Sequence, residues 1–217
     1  MSSQRFIPKP TSNTTITFIQ ATNKLSSFLK QFAPKIAVLT GSGISTASGI
    51  PGYGDDRRKG TENKGFEYLE PTSSHIVLST LETQHKINGV VTQNVDRLHQ
   101  KAGSQNLCEL YGNIDSIGFD SDNHRASTST NVQDQAAKIV GDAEALLVLG
   151  SSCSSFEAYE LVKGASLANK MILMINIGDT CVDDMVDVKL EHATDLLLGQ
   201  ISNMPLDKVV KYSLPAC

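Results

Sequence analysis

The feature that most constrains the fold is the stretch from Lys35 to Thr40 (KIAVLT), a short β-branched apolar run that breaks directly into Gly41. A run without polar alternation fits a strand buried on both faces, which a parallel sheet covered by helices provides. Similar runs recur from Gly89 to Thr92, from Ala145 to Gly150 and from Met171 to Asn176. Candidate helices lie between them, from Thr72 to Gln84 and from Phe156 to Leu167. Another precedes them, where Ile16, Ile19, Leu25, Phe28, Leu29 and Phe32 fall at mostly helical spacing before Pro34 ends the segment. Strands alternating with helices predict an α/β protein with a Rossmann-like, doubly wound parallel sheet of about six strands.

A chain of 217 residues with 40% hydrophobic content is enough for one domain with its own core. We expect a flexible tail over residues 1–15, a folded domain over 16–205, and a polar loop over 116–135 within it. That loop is rich in Ser, Thr, Asn and Asp and poor in apolar residues. A formal net charge of −4 gives no general basic surface for nucleic acid. No stretch of about 18 apolar residues suggests a membrane span, and the chain opening lacks the pattern of a secretory signal. The four cysteines, Cys108, Cys153, Cys181 and Cys217, have no short-spaced pair to clamp a metal and read as reduced thiols. No acidic residue precedes Asp55, whereas Arg5, Lys9, Lys24, Lys30 and Lys35 do, weakly in the manner of a mitochondrial presequence or simply as a solvated tail. An intracellular location, mitochondrial or cytoplasmic, is expected.

Two motifs open from the ends of buried strands. Gly41-Ser42-Gly43-Ile44-Ser45 would let backbone N–H groups approach a phosphate, with a following helix N-terminus favouring negative charge. It lacks GxGxxG spacing and an acidic residue on an obvious second strand, so it is a poor dehydrogenase fingerprint; a merely structural turn remains open. Gln93-Asn94-Val95-Asp96 places amide and carboxylate groups at a strand end, where they either hydrogen-bond a ligand or cap a helix.

Together these stretches resemble the sirtuins, whose signatures are GAGISxxSGIPDFR and TQNxDxLHxxAG. The resemblance continues at Glu109-Leu110-Tyr111-Gly112 (ELHG in the family), Gly150-Ser151-Ser152 (GTS or GSS) and Ile175-Asn176-Ile177-Gly178-Asp179-Thr180 (INxxxT). Its wording leans toward the mitochondrial lipoamidase-like class. The resemblance implies NAD as cofactor, with NAD-dependent removal of acyl groups from lysine in proteins as the reaction. It implies that Gly41, Ser42, Gly43, Ile44 and Ser45 face the pyrophosphate and nicotinamide side. Gln93, Asn94 and Asp96 would serve the nicotinamide ribose and carboxamide, with Tyr53 and Val95 also in the cofactor-binding set, Gly150, Ser151, Ser152, Asn176, Ile177 and Gly178 the adenosine half, and Ala193 the adenine. His99 is expected to be structural.

The departures from the family pattern are as specific as the matches. Tyr111 stands where the family carries its catalytic histidine, and a phenol with an ordinary pKa of about 10 holds its proton at neutral pH. Gly52 and Gly54 replace the acidic and arginine side chains of IPDFR, and the loop that follows is shorter than usual. The two CxxC pairs that hold the family's structural zinc are absent, as is its acyl-peptide strand. Zinc is not expected, and neither is the small lobe around it. The sequence therefore points to a sirtuin-like protein that binds NAD or ADP-ribose with deacylation impaired or lost. A weakly active deacylase or ADP-ribosyl transferase remains open, as do a partner-binding scaffold and an incomplete gene model.

Overall fold

A computed structural model of the chain describes residues 16–52, 68–114 and 130–202. Six parallel strands form one sheet: β1 (Ile36–Thr40), β2 (Gly89–Thr92), β3 (Leu107–Glu109), β4 (Ala145–Leu149), β5 (Met171–Ile175) and β6 (Val188–Leu190). Their spatial order is β3-β2-β1-β4-β5-β6. The expected Rossmann-like sheet is thus present, and its order reverses direction between β1 and β4, where such sheets open a crevice for ligands.

Every residue of β1, β4 and β5 is buried, as sequences apolar in all but Thr40 demand. Successive side chains leave opposite faces. Ile36, Val38, Leu147 and Leu173 enter a core under α1 (Phe18–Phe32), α2 (Ser73–Thr83) and α6 (Thr194–Ser202). Ala37, Leu39, Leu146, Val148, Ile172 and Met174 enter a second core under α4 (Thr130–Gly141) and α5 (Phe156–Leu167). Helix α1 starts on a capping box in which Thr17 Oγ1 accepts from Gln20 N and Gln20 Oε1 accepts from Thr17 N.

One reading needs correction. Residues 130–135, expected to belong to a polar loop, open helix α4, whose buried side is only Ala136, Ile139 and Val140 with Val132 beside it. The helix expected after the glycine turn is a 3-10 helix, Ser42–Ser48. The expected tail 1–15, most of the loop 116–135 and the shortened stretch after Tyr53 lie outside the described residues.

Candidate nucleotide site at the sheet switch point

The loops leaving β1 and β4 meet in direct backbone contact. Gly41 N donates to Leu149 O at 3.0 Å, Gly43 N to Gly150 O at 2.8 Å, and Gly150 N to Ile175 O at 2.9 Å. A Cβ at Gly43 would lie 2.8 Å from Gly150 Cα, and one at Gly41 would lie 2.7 Å from Gly150 O. Gly150 has φ +57°, and its Cβ would meet Ile44 N at 2.6 Å. These three glycines are required first by each other, because the two loops pack with no room for a side chain. Whatever occupies the crevice rests on this joint.

Beside it, the β2 end contributes a buried polar cluster. Asn94 Nδ2 donates to Gly41 O and to Ser45 Oγ, each at 3.1 Å, and Ser45 Oγ donates to Asp96 Oδ2 at 2.7 Å. Asp96 Oδ1 accepts from Leu98 N at 3.0 Å, so the carboxylate also caps the short helix α3 (Leu98–Lys101), the capping role left open above. Gln93 Nε2 donates to Ser151 Oγ at 2.6 Å, and Gln93 Oε1 accepts from Ser155 Oγ at 3.2 Å. Gln93 thereby couples the β2 loop to the β4 loop across β1. Val95 is half-buried, and its carbonyl accepts from Ile114 N at 3.0 Å.

Under this cluster lie two buried histidines in edge contact, His75 and His99, with ring centroids 4.6 Å apart. Thr40 Oγ1 donates to Thr92 Oγ1, so it accepts from His99 Nε2 at 2.9 Å and leaves Nδ1 as a bare buried acceptor. His75 Nδ1 accepts from Thr72 N at 3.2 Å, while Thr72 Oγ1 donates to Ile44 O at 3.1 Å. Burial holds His99 well below the usual imidazole range, with His75 adding to the effect. Burial also lowers His75, against the opposing pull of Asp96 and Asp195. Both rings are neutral struts that tie the motif loops to α2.

At the β3 end, Tyr111 is half-buried against the second core, and its hydroxyl donates to Glu157 Oε2 at 2.8 Å. The phenol's proton is directed at a carboxylate, and the β3 loop is pinned to the first turn of α5.

The β5 side is more open. Ser152, Ile177 and Gly178 are exposed, Ile177 to 70%, and a Cβ at Gly178 would touch nothing within 4 Å. Asn176 Nδ2 folds back on Ile177 O at 3.1 Å. Lys189 braces the loop from outside, donating to Gly178 O and to Asp183 Oδ2, each at 2.8 Å. Burial would raise the Asp183 pKa, but the bonds from Lys189 and Thr180 outweigh it and hold the carboxyl below its usual range. Ala193 sits half-buried at the start of α6, whose Asp195 accepts from Ser74 N at 2.8 Å and so fixes α6 to α2.

The fold therefore gathers Gly41, Ser42, Gly43, Ile44, Ser45, Gln93, Asn94, Val95, Asp96, Gly150, Ser151, Ser152, Asn176, Ile177 and Gly178 along one sheet edge, with Tyr111 at the β3 end of that edge and Ala193 at the start of α6. Tyr53 lies outside the described residues. Sequence reasoning did not reach Thr40, His75, Ser155, Glu157, Asp183 or Lys189. Of these only His75 carries a local signal, the Thr72-x-x-His75 spacing of a capping box. Among the described residues, no group of three or more His, Cys, Asp or Glu could hold a metal ion.

Amide, hydroxyl and carboxylate groups are thus clustered at the point where the strand order reverses, the place where open α/β sheets commonly take ligands. The fold is a doubly wound parallel sheet of the Rossmann-like kind. The Sir2 family model matches residues 59–156. The chain is 27% identical to the NAD-dependent protein deacylase Sirt4 of Drosophila melanogaster, over 77% of this chain and 82% of that protein. It is also 27% identical to the NAD-dependent protein lipoamidase sirtuin-4, mitochondrial, of Bos taurus, over 77% and 81%. A solved Sir2 His→Tyr mutant in complex with a p53 peptide and NAD superposes with a TM-score of 0.72 at 23% identity, covering 84% of this chain and 97% of that one. The family model and the curated relatives agree in what this chain is similar to, the sirtuins, and the relatives are named as NAD-dependent. The match to the fly protein runs over 256 positions, more than the 217 residues of this chain, so the relative carries segments that this chain lacks.

Proposed function

We propose that this sirtuin-like chain binds NAD and ADP-ribose in the crevice beyond β1, β2, β4 and β5 and turns over acyl-lysine proteins poorly or not at all. Tyr111 carries this reading. At the place where the family's ELHG motif has a histidine base, the chain has a phenol whose proton is already donated to Glu157. Loss of a general base typically costs about 10² to 10⁴ in rate. Bound NAD would supply the electrophilic ribose carbon. The chain's own groups would position it: Ser45, Gln93, Asn94 and Asp96 at the nicotinamide end, Ser151, Ser152, Asn176, Ile177 and Ala193 at the adenosine end.

The length deficit against the fly relative supports the reading that the connection between β3 and α4 is too short to carry a zinc module, within a domain spanning 16–205. Elemental analysis tests this, since stoichiometric zinc in purified protein would overturn it. That a Sir2 protein with tyrosine in place of a histidine is known with NAD and peptide bound supports binding that outlasts such an exchange. The mitochondrial designation of the bovine relative favours that compartment over the cytoplasm here.

The test of function is nicotinamide release in the presence of acetyl- and longer acyl-lysine peptides, alongside calorimetric titration with NAD and ADP-ribose. We expect binding of both nucleotides and little peptide-dependent release, with Tyr111→His raising release only slightly. Robust peptide-dependent release by the unaltered chain refutes the impaired reading. Absence of heat with either nucleotide at millimolar concentration refutes the binding reading.

A further inference from the structure

Two of the described cysteines lie on loops that touch beside the adenosine half of the crevice. Cys153 follows Ser151-Ser152 beyond β4, and Cys181 opens the turn between β5 and β6. Cys181 N donates to Ser152 O at 3.0 Å. Because that carbonyl belongs to the peptide leading into Cys153, the bond holds the two Cα atoms about 5 to 7 Å apart, a range that overlaps the span of a disulfide. The environments of the two thiols differ sharply. Cys181 is exposed, whereas Cys153 is fully buried, with φ +52°, and packs in the second core beside Val182, the neighbour of Cys181. Burial pushes the Cys153 thiol up to about 11, so it is inert towards oxidants in solution and can act only on a sulfur delivered to it.

We propose that Cys153 and Cys181 form a peroxide-driven, reversible disulfide that staples the β4 loop to the β5–β6 turn and weakens nucleotide binding. The Cys181 thiolate attacks hydrogen peroxide, the O–O bond breaks, and a sulfenic acid and a hydroxide result; the hydroxide takes up the proton the thiol had released and becomes one water. The Cys153 sulfur then attacks the Cys181 sulfur and displaces hydroxide, which leaves as a second water with the Cys153 proton. The two thiols lose two electrons and two protons, and the peroxide takes up both. The link reaches the crevice through one atom. Cys153 N donates to Ser151 Oγ at 3.0 Å, and the same oxygen receives Gln93 Nε2. Drawing Cys153 towards the turn pulls on the contact that couples the β2 and β4 loops and narrows the gap between Ser152 and residues 176–178. This last consequence rests on the nucleotide-binding reading given above.

The full chain carrying Cys217→Ser, which removes a competing thiol, is exposed to peroxide, alkylated after unfolding and mapped by non-reducing peptide mass spectrometry. We expect a linked peptide pair joining Cys153 and Cys181. It should form faster as pH rises towards 11, dissolve in dithiothreitol, and be absent in Cys181→Ser. Sulfinic acid at Cys181 with Cys153 still alkylatable, or a bond from Cys181 to a second copy of the chain, overturns the pairing. In parallel, ADP-ribose is titrated into reduced and oxidised protein, with about tenfold weaker binding expected after oxidation and recovery on reduction. Equal affinity in the two states overturns the switch even where the disulfide forms. A reduced protein that does not bind ADP-ribose refutes the nucleotide reading and with it the switch, while the peptide map still decides the disulfide.

Discussion

Gly150→Ala isolates the joint on which the crevice is built. At φ +57° any residue other than glycine adopts a strained conformation, which costs roughly 1–2 kcal/mol. The new methyl group would also lie 2.6 Å from Ile44 N and 2.7 Å from Gly43 C, backbone atoms that cannot swing aside as a side-chain tip can. Overpacking of this kind costs roughly 1–3 kcal/mol more. The expected destabilisation is about 2–5 kcal/mol, which for a domain of this size lowers Tm by roughly 4–20 °C. Gly178→Ala is the control, because it shares the positive φ, +85°, but its Cβ would meet nothing within 4 Å. It should show only the conformational part, about 1–2 kcal/mol. Urea denaturation of the two variants beside the parent measures the difference directly. Equal midpoints for Gly150→Ala and Gly178→Ala would refute the claim that the β1 and β4 loops are closed against each other. Gly43→Val, aimed at Gly150 Cα 2.8 Å away, is expected to lose stability before it loses ligand.

Three further outcomes are expected. The buried imidazoles of His75 and His99 have folded pKa values below the ordinary 6.5, so below that pH the unfolded chain binds protons that the folded chain refuses, and stability falls with pH by up to about 1.4 kcal/mol per pH unit for each ring. Urea midpoints at pH 7.5 and 5.5 check this, and His99→Gln should flatten the dependence. Asn94→Ala removes the amide that bridges Gly41 O and Ser45 Oγ, costs about 1–3 kcal/mol of stability, and should weaken NAD more than ADP-ribose by calorimetry. Lys189→Met frees Gly178 O and Asp183 and should weaken ADP-ribose several-fold while moving Tm little, since a partly exposed ion pair contributes about 0–1 kcal/mol; unchanged affinity would show that the β5 loop needs no brace.

What the sequence made legible, and what it did not, divides along a physical line. Strands β4 and β5 are unbroken apolar runs of five residues and β1 one of four closed by Thr40, so all three are recognisable from composition alone. Strands β3 and β6 have three residues each, too few to establish a period, and β6 places the charged Lys189 between two buried residues. Helix α4 hides its amphipathic pattern behind an opening turn of Thr, Asn, Gln and Asp, with only Val132, Ala136, Ile139 and Val140 meeting the core. Polarity there reflects a solvated helix face, and a loop and a solvated face look alike when apolar residues are this sparse.

The site divides in the same way. Its signature residues are contiguous in the chain because each set occupies the few positions at the C-terminal end of one strand, so a linear pattern captures them. The bonds that make them a site cross the sheet instead. Gln93 reaches Ser151 and Ser155, 58 and 62 residues away, only because β1 separates β2 from β4. The same geometry decides how the exchange at Tyr111 should be understood. As a letter it is the loss of a base, and such a loss could be reversed by restoring histidine. In the fold the phenol is also a tie to Glu157 at the head of α5, 46 residues on. A histidine placed at 111 would have to break or replace that tie before it could serve any ribose. The double variant Tyr111→His with Glu157→Gln, which removes the carboxylate that would hold an imidazole charged, should therefore release more nicotinamide than Tyr111→His alone. If the two release equally little, the Glu157 contact is incidental, and the impairment must be sought in how the acyl-lysine peptide is held.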